Sequence, residues 1–205
     1  MKYRTYGSEA EYEPKAQDHV LKNKLHIKTL SEMNQAENRL LLRMYESLFE
    51  PEFQVSHLSN AVLMHWHYQW LGPLYDWAGQ LRTVHMSKDA FPFASAHLLA
   101  TLLHQYEQQF LRHYPRLPTY SLHELWAYLA QSHVEFILIH PFREGNGRLG
   151  RLLLDVMATQ AGFTPLDYSW WDQNKAYYVG AIHAGLMGDY TPMQRLIKDI
   201  WPAIS

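Results

Sequence analysis

The sequence predicts an all-α protein, and three features of the chain support this prediction. Apolar residues recur at helical spacing in five stretches, residues 30–49, 56–71, 95–113, 122–139 and 148–161. Signals that begin or end helices flank some of them, such as Ser121 with Glu124 and Gly162 with Pro165. Only one short stretch, residues 82–94, alternates loosely in the way a strand does.

Length and composition bound the class of protein. A chain of 205 residues with 47% hydrophobic residues can bury a substantial core, so we predict an irregular lead-in at residues 1–19 and a single domain over residues 20–205. The net charge of −2 gives no basic field for nucleic acid. The absence of cysteine excludes disulfides, cysteine-ligated zinc and thiol catalysis.

Membrane and export signals are also missing from the sequence. It contains no apolar run of membrane-spanning length, and its first residues lack the hydrophobic core of a signal peptide. We therefore expect a soluble cytoplasmic protein that binds neither membrane nor nucleic acid directly. Secretion as an effector stays open.

Two helices are predicted in the N-terminal part of the chain. The first covers residues 30–49, with Thr29 or Ser31 as its cap. The second covers residues 56–71 and contains His57, His65 and His67. Residues two apart in a helix point to different faces, so we interpret these histidines as structural rather than as a shared metal site.

A hairpin and further helices follow. We predict a hairpin tip at residues 87–90, with Phe91 to Ala94 on the returning strand, where pairing must use the neighbours of Pro92 because proline lacks an N–H. Residues 95–113 are predicted as one helix and residues 114–119 as a rigid connection. The apolar helix over residues 122–139 is predicted to be central, and Gly162 is predicted to end the helix that follows it.

The segment between these last two helices, residues 140–151, concentrates polar chemistry. Pro141 disfavours helix at His140, while two glycines permit unusual backbone angles, so the chain should turn and re-enter a helix near Arg148. Unpaired N–H groups at such a helix start form a ready site for a phosphate, and Arg148 and Arg151 share one helical face beside it.

Two more side chains complete a candidate reaction site. Glu144 is an oxygen ligand suited to Mg²⁺, which proteins hold with one or two carboxylates plus substrate phosphates. His140 has the side chain that can take a proton from an attacking hydroxyl near neutral pH. Together these residues predict nucleotidyl or phosphoryl transfer.

The same segment resembles the signature of the Fic family at all eight specified positions: His, any residue, Phe, any residue, Asp or Glu, Gly, Asn, Gly or Lys, Arg, and a second Arg three positions on. Trp77-Ala78-Gly79 resembles the family's turn ahead of a hairpin. Residues 20–27 resemble the N-terminal arm that precedes the first helix of stand-alone, toxin-like Fic proteins. The resemblance implies a helical bundle with a small β-hairpin flap beside the active-site loop, and an enzyme that moves AMP from ATP to a Ser, Thr or Tyr hydroxyl of a target protein.

The resemblance also implies roles for individual residues. His140 would be the general base and Glu144 the Mg²⁺ ligand. Gly145, Asn146 and Gly147 would form the anion hole around the α-phosphate, and Arg148 and Arg151 would bind the outer phosphates. The related Doc toxins carry Lys at the position of Gly147 and phosphorylate their target, so Gly147 favours AMP transfer.

Target and adenosine contacts are implied in the same way. The flap would pair with an extended segment of the target, and its assigned residues are Ser87, Lys88, Asp89, Phe91 and Phe93. The adenosine would lie near the aromatic residues 168–178. The candidates there are Asn174, Tyr177 and Tyr178.

Regulation is the last implication. Many Fic proteins are restrained by a glutamate in a segment reading Ser or Thr, three residues, Glu, then Gly or Asn. Glu37-Asn38 supplies the end of that pattern, but Met33 stands where the hydroxyl residue belongs. We therefore interpret Glu37 as a solvated helix residue, with an inhibitory role as the alternative, and expect inhibition to come from a separate antitoxin-like chain.

Other activities stay open at this point. A transferase that uses another nucleotide or a phosphocholine donor would keep the same loop. A hydrolase that removes AMP needs an inhibitory glutamate, which the incomplete pattern around Glu37 disfavours. A nucleotide-binding interaction module without turnover is the alternative from a different class.

Overall fold

The computed structural model describes residues 4–6, 11–16, 18–50, 55–88 and 91–202. Contacts divide the chain into two compact units, the first comprising residues 1–101 with 141–145 and the second residues 102–140 with 146–205. Helices are the main elements of the described residues, which confirms the all-α prediction. None of the described helices is both long enough and apolar enough to cross a membrane.

Two capped helices form much of the first unit. Helix α1 (Leu30–Leu48) begins after Thr29, whose side chain accepts a hydrogen bond from the N–H of Glu32. Helix α2 (Asn60–Leu71) begins after Ser59, which caps it in the same way. Its start lies later than the predicted residue 56, because a helix begins where the first N–H groups find a cap. The two helices pack against each other.

A small antiparallel sheet completes the first unit. Its strands are β1 (Arg4–Tyr6), β2 (His85–Lys88) and β3 (Phe91–Pro92), with β2 in the centre. The prediction of an irregular lead-in is therefore wrong for Arg4–Tyr6, because β2 offers these residues a pairing edge far away in the sequence. The separate prediction of a single domain from residue 20 onward stays a prediction.

The predicted hairpin is present as β2 and β3, with Lys88 opposite Phe91. As expected from the missing N–H of Pro92, the closing hydrogen bond comes from Phe93, whose N–H donates to the carbonyl of Met86 at 3.1 Å. Ser87 and Lys88 belong to β2 and not to the tip, because both pair with the returning strand. Asp89 and Ala90 lie outside the described residues.

Helices packed around α4 form the second unit. Helix α4 (Leu122–Ile139) begins with the predicted capping box of Ser121 and Glu124 and contacts three later helices. These are α5 (Asn146–Gln160), α7 (Lys175–Gly185) and α8 (Thr191–Asp199), and the short α6 (Ser169–Gln173) packs on α7. The central position predicted for α4 is confirmed.

The helix predicted over residues 95–113 consists of several pieces. A 3-10 turn at Ala96–Leu98 leads into helix α3 (Leu99–Gln109), which runs from the first unit into the second. A 3-10 helix then covers Leu111–Thr119 and includes Pro115 and Pro118. Proline clashes with the carbonyl four residues earlier in an α-helix, so Pro115 prevents α3 from continuing through Leu111.

Candidate active site

The candidate segment, residues 140–151, contributes to both units. Residues 141–145 belong to the first unit, whereas His140 and residues 146–151 belong to the second. The side chains from His140 to Arg151 nevertheless follow one another along one continuous stretch of chain.

His67 of α2 holds the loop at residues 141–145. The N–H of Gly79 donates to Nδ1 of His67 at 2.8 Å, so the ring proton sits on Nε2, which donates to the carbonyl of Glu144 at 3.0 Å. The imidazole also stacks on the ring of Phe142, with centroids 4.0 Å apart. This confirms the structural interpretation of His67 and gives it a precise task, namely the support of the loop.

Gly145 approaches helix α2 too closely for any side chain. Its φ is +83°, and an added Cβ would lie 2.7 Å from Cζ3 of Trp70. The indole N–H of Trp70 donates to the carbonyl of Glu37 at 2.9 Å, so α1 fixes the ring on which Gly145 rests. The requirement for glycine at this position is therefore one of packing and backbone angle.

Glu37 is not solvated, which corrects the sequence interpretation. Its relative exposure is 3%, and its carboxylate accepts a hydrogen bond from the hydroxyl of Tyr75 at 2.6 Å. Tyr75 lies 38 residues further along the chain, so local sequence gave no sign of this partner. An inhibitory role for Glu37 stays a prediction, and the contacts within the first unit show a residue that holds α1 against Trp70 and Tyr75.

Arg82 joins the loop to the base of the flap. Its backbone N–H donates to the carbonyl of Pro141 at 2.9 Å. Its guanidinium donates to the carbonyl of Val84, just before β2, at 2.7 Å and to the carbonyl of Ala94, just after β3, at 2.6 Å. The side chain is buried at 2% exposure. One arginine thus fixes both ends of the hairpin and one end of the loop.

His140 ends helix α4 in a left-handed conformation, with φ 51° and ψ 59°. Such angles are uncommon for a residue with a side chain and are retained mostly where function requires them. Its Nδ1 lies 3.1 Å from the carbonyl of Ile137. A carbonyl only accepts, so the proton of the neutral ring sits on Nδ1 and Nε2 carries the lone pair. This is the tautomer that a general base acting through Nε2 needs.

Helix α5 begins within the motif, at Asn146. Asn146 is 1% exposed, whereas Gly147 and Arg148 are partly exposed. A Cβ added at Gly147 would have no atom within 4 Å, in contrast to Gly145. The first turn of α5 therefore combines outward N–H groups with open space beside Gly147, the arrangement in which helix starts bind anions.

Arg151 lies on the next turn of α5, where a carboxylate and two aromatic rings of the second unit surround its guanidinium. Its guanidinium donates to both carboxylate oxygens of Asp172, at 2.8 and 3.2 Å. It also lies over the rings of Tyr168, 5.0 Å away, and Trp171, 6.0 Å away. Burial by itself would lower the pKa of Arg151, but the hydrogen bonds and charge of Asp172 outweigh this effect and raise the pKa.

The three adenosine candidates differ in their surroundings. Tyr178 packs 5.1 Å from the ring of Trp171, which is also a neighbour of Arg151, and its hydroxyl lies 2.8 Å from Nε2 of His133. Tyr177 is 69% exposed and lies 6.1 Å from Trp170. The amide of Asn174 donates to the carbonyl of Trp170 at 2.9 Å. Of these three candidates, only Tyr178 packs against an aromatic ring that also lies near Arg151, namely that of Trp171.

The flap residues lie on both faces of the hairpin, because Ser87 and Lys88 are consecutive residues of β2. Ser87, Lys88, Phe91 and Phe93 are all partly exposed. The rings of Phe91 and Phe93 meet edge to face with centroids 5.8 Å apart, as expected for residues two apart on a strand.

Metal binding would rest on Glu144. Among the described residues, no group of three or more His, Asp or Glu side chains is placed to hold a metal ion. Glu144 is partly exposed, and its carboxylate accepts a hydrogen bond from the N–H of Gly145 at 2.9 Å. A single carboxylate fits Mg²⁺ when the remaining ligands are phosphate and water oxygens.

Reasoning from the sequence did not identify several residues that support the site. Asp172, the partner of Arg151, was not singled out, nor was Arg82, and His133 was not distinguished from the core around it. Each acts on a residue distant in sequence. The one available signal was the aromatic run over residues 168–178, which marked the neighbourhood of Asp172 but not its role.

Comparison with known proteins agrees with the motif. A family model described as "Fic/DOC family" matches residues 57–158. The "Probable protein adenylyltransferase Fic" of Escherichia coli K12 is 26% identical over 179 residues, which covers 80% of this chain and 86% of that protein. The "Protein adenylyltransferase fic-1" of Caenorhabditis briggsae is 35% identical over 68 residues, which covers 33% of this chain but only 13% of the length of that protein.

Solved structures agree on the fold. The N-terminal FIC domain of Bep8 from Bartonella sp. 1-1C has a TM-score of 0.78 at 20% identity, with 93% of this chain and 94% of that chain covered. BepC from Bartonella tribocorum, solved with bound AMPPNP, has a TM-score of 0.74 at 23% identity, with 95% and 97% covered. With the complete motif, the family match and the shared fold, the chain belongs to the Fic/DOC family.

Proposed function

We propose that this chain is a protein adenylyltransferase, which transfers AMP from ATP to a Ser, Thr or Tyr hydroxyl of a target protein. The observation that carries the proposal is the state of His140. Its Nδ1 donates to the carbonyl of Ile137, which leaves the lone pair on Nε2. His140 also shortly precedes the anion-binding start of α5 in the sequence. The names of the relatives, and the AMPPNP bound by BepC, support a nucleotide donor.

The target hydroxyl oxygen bonds to the α-phosphorus of ATP, and its proton passes to Nε2 of His140. The bond from the α-phosphorus to the oxygen that bridges it to the β-phosphate breaks, and pyrophosphate leaves. The N–H groups at the start of α5, with Gly145, Asn146 and Gly147, would stabilise the charge that develops on the α-phosphate.

Cations would neutralise the rest of the polyphosphate. Arg148 and Arg151 would contact the outer phosphates, where guanidinium groups bind phosphate oxygens in pairs. Mg²⁺ held by the carboxylate of Glu144 would neutralise charge on the phosphates. The open space at Gly147 is consistent with a site shaped for AMP transfer, the activity that the resemblance favours there.

The flap supplies the proposed docking site for the target. In the order β1-β2-β3, strand β2 is paired on both sides, so the outer edges of the described sheet belong to β1 and β3, and we place the target on the edge of β3, which carries Phe91. An extended segment of the target would pair with this edge through backbone hydrogen bonds, which do not demand a particular sequence. Phe91 and Phe93, partly exposed at β3, would contact its side chains. A cytoplasmic location and restraint by a small separate chain are part of the proposal and rest on the sequence.

Intact-protein mass spectrometry tests the proposal without knowledge of the target, because self-modification is enough. The purified chain is incubated with Mg²⁺ and each nucleoside triphosphate in turn, beside His140→Ala. We expect a mass gain of one adenosine monophosphate with ATP, which His140→Ala abolishes while AMPPNP still binds.

Other results of this experiment reject the proposal in defined ways. A gain of a single phosphate group would show a kinase, and a gain with a different nucleotide would change the donor. Full activity in His140→Ala would remove the histidine from its role as the base. If self-modification is absent with every nucleotide, the same assay with a phosphocholine donor tests the remaining transferase activity, and a positive result there rejects AMP transfer.

A further inference from the structure

Asp172 and two aromatic rings enclose the guanidinium of Arg151. The carboxylate takes two parallel hydrogen bonds, from Nη1 to Oδ2 and from Nη2 to Oδ1, and the rings of Tyr168 and Trp171 cover the group. This two-point pairing uses the same guanidinium edge with which arginine binds two oxygens of a phosphate. The carboxylate and an outer phosphate of the donor therefore require the same atoms of Arg151.

The backbone around Asp172 is firmly placed. Its neighbour Trp171 is fully buried, with the indole N–H donating to the carbonyl of Leu196 at 3.2 Å. The hydroxyl of Tyr168 lies 3.0 Å from the carbonyl of Arg151 and 2.9 Å from Oδ1 of Asp155, and its single proton is shared between these two acceptors. Helix α6 is thus held at Tyr168 and Trp171, which both precede Asp172 in the chain. The side chain of Asp172 itself is 57% exposed, so it can rotate away while the backbone stays in place.

We infer that Asp172 is a specificity-determining residue that competes with the outer phosphates of the donor for Arg151. A donor that carries outer phosphates displaces the carboxylate, whereas AMP has no group that reaches the position. Asp172 would then lower the affinity for triphosphates and let the pyrophosphate product leave more readily. This inference rests on the proposed function for the identity of the donor.

The competitor differs from the inhibitory glutamate that the Fic resemblance suggested. That glutamate would belong to the incomplete pattern around Glu37, whereas Asp172 lies on the C-terminal side of the motif, 21 residues after Arg151. An exposed ion pair contributes little net free energy, so the competition must be weak and reversible. Asp172 would adjust affinity and would not lock the enzyme in an inactive form.

The experiment compares Asp172→Asn with Asp167→Asn. Both changes remove one negative charge and keep a side chain of the same shape, but Asp167 accepts hydrogen bonds from Ser169, whereas Asp172 is paired with Arg151. Calorimetry would measure the affinity of each protein for three probes: AMPPNP, AMP and inorganic tripolyphosphate. The last probe requires neither an adenosine site nor transfer activity.

We expect Asp172→Asn to bind AMPPNP and tripolyphosphate about three- to tenfold more tightly, from the lost ion pair and the lost repulsion between like charges. Affinity for AMP should change less than about twofold in either variant, and Asp167→Asn should bind all three probes like the wild type. The added change Arg151→Ala should cancel the gain of Asp172→Asn.

Equal gains in both Asp variants would show a general charge effect and overturn the inference. Weaker binding of tripolyphosphate to Asp172→Asn would overturn it as well, since Asp172 would then orient Arg151 for the phosphate. Failure of the proposed function is separable from either result. If Asp172→Asn binds tripolyphosphate more tightly but no variant transfers AMP, the competition stands and the adenylyltransferase assignment does not.

Discussion

The imidazole of His67 lies flat on the ring of Phe142, with the two planes 9° apart, and donates through Nε2 to the carbonyl of Glu144. Helix α2 therefore positions the backbone of the residue proposed to hold Mg²⁺ and the aromatic anchor two residues before it. No part of this relationship requires His67 to touch a substrate, so it acts as a positioning residue.

Replacement of His67 with glutamine should weaken the loop. The variant loses the ring stacking and one of two backbone hydrogen bonds, so we expect the free energy of unfolding to fall by roughly 1–3 kcal/mol. The rate of self-modification should fall at least about tenfold, because small errors in position are costly in catalysis. Denaturant unfolding and the mass assay measure the two effects. His65→Gln, on the exposed side of the same helix, is the control and should change neither.

Gly145 and Gly147 should differ in how strongly a change to alanine affects stability. Gly145→Ala places a methyl group 2.7 Å from Trp70 at a φ of +83°, so we expect a loss of roughly 2–4 kcal/mol in the free energy of unfolding. Gly147→Ala meets no atom within 4 Å and lies in helix α5, so its stability should stay within about 1 kcal/mol of the wild type. Similar unfolding curves for the two variants would contradict the packing described for Gly145.

Arg82 should control the order of the flap. Arg82→Ala removes two charge-assisted hydrogen bonds to the carbonyls of Val84 and Ala94. We expect the free energy of unfolding to fall by roughly 2–4 kcal/mol. Arg82→Lys should recover only part of this, because an ammonium lacks the planar fork that reaches both carbonyls. Hydrogen exchange over residues 84–94 would increase in both variants. The exposed Arg112, changed to alanine, is the control; unchanged exchange in Arg82→Ala would show that the hairpin is stable without its arginine.

His133 should make the protein sensitive to acid. Burial, with a contribution from the nearby charge of Arg151, lowers the pKa of His133 to about 3, well below the ordinary value in an unfolded chain. Between these values the unfolded state binds a proton that the folded state does not. The contribution of His133 to the free energy of unfolding is therefore fully present above about pH 6.5 and decreases as the pH falls toward 3.

The variant His133→Gln measures this effect, because glutamine keeps a polar partner for Tyr178 and does not titrate. From pH 7 to pH 4 the wild type should lose about 3 kcal/mol more than the variant in the free energy of unfolding, because only part of the effect of the shifted pKa develops above pH 4. Denaturant unfolding at several pH values gives the two slopes. Parallel slopes would mean that His133 takes up its proton while the protein is folded.

The sequence alone determined the family motif and most of the helices. Apolar spacing located α1, α4 and α5, and the Ser121–Glu124 capping box and the break at Gly162 were correctly assigned, because these signals depend on residues a few positions apart. The order of chemical groups from His140 to Arg151 was equally a property of the chain. The flap hairpin was located because β2 and β3 are neighbours in sequence.

Only the tertiary structure decided which distant groups complete these local elements. Strand β1 pairs with β2 about eighty positions away, Glu37 is buried against Tyr75, and Arg151 is paired with Asp172. In each case a hydrogen-bonding group needs a partner, and any of many polar residues would satisfy it equally well by type. The choice depends on which residues the packed helices bring within hydrogen-bonding distance. A single sequence does not contain that information, because spacing along the chain does not give separation in space.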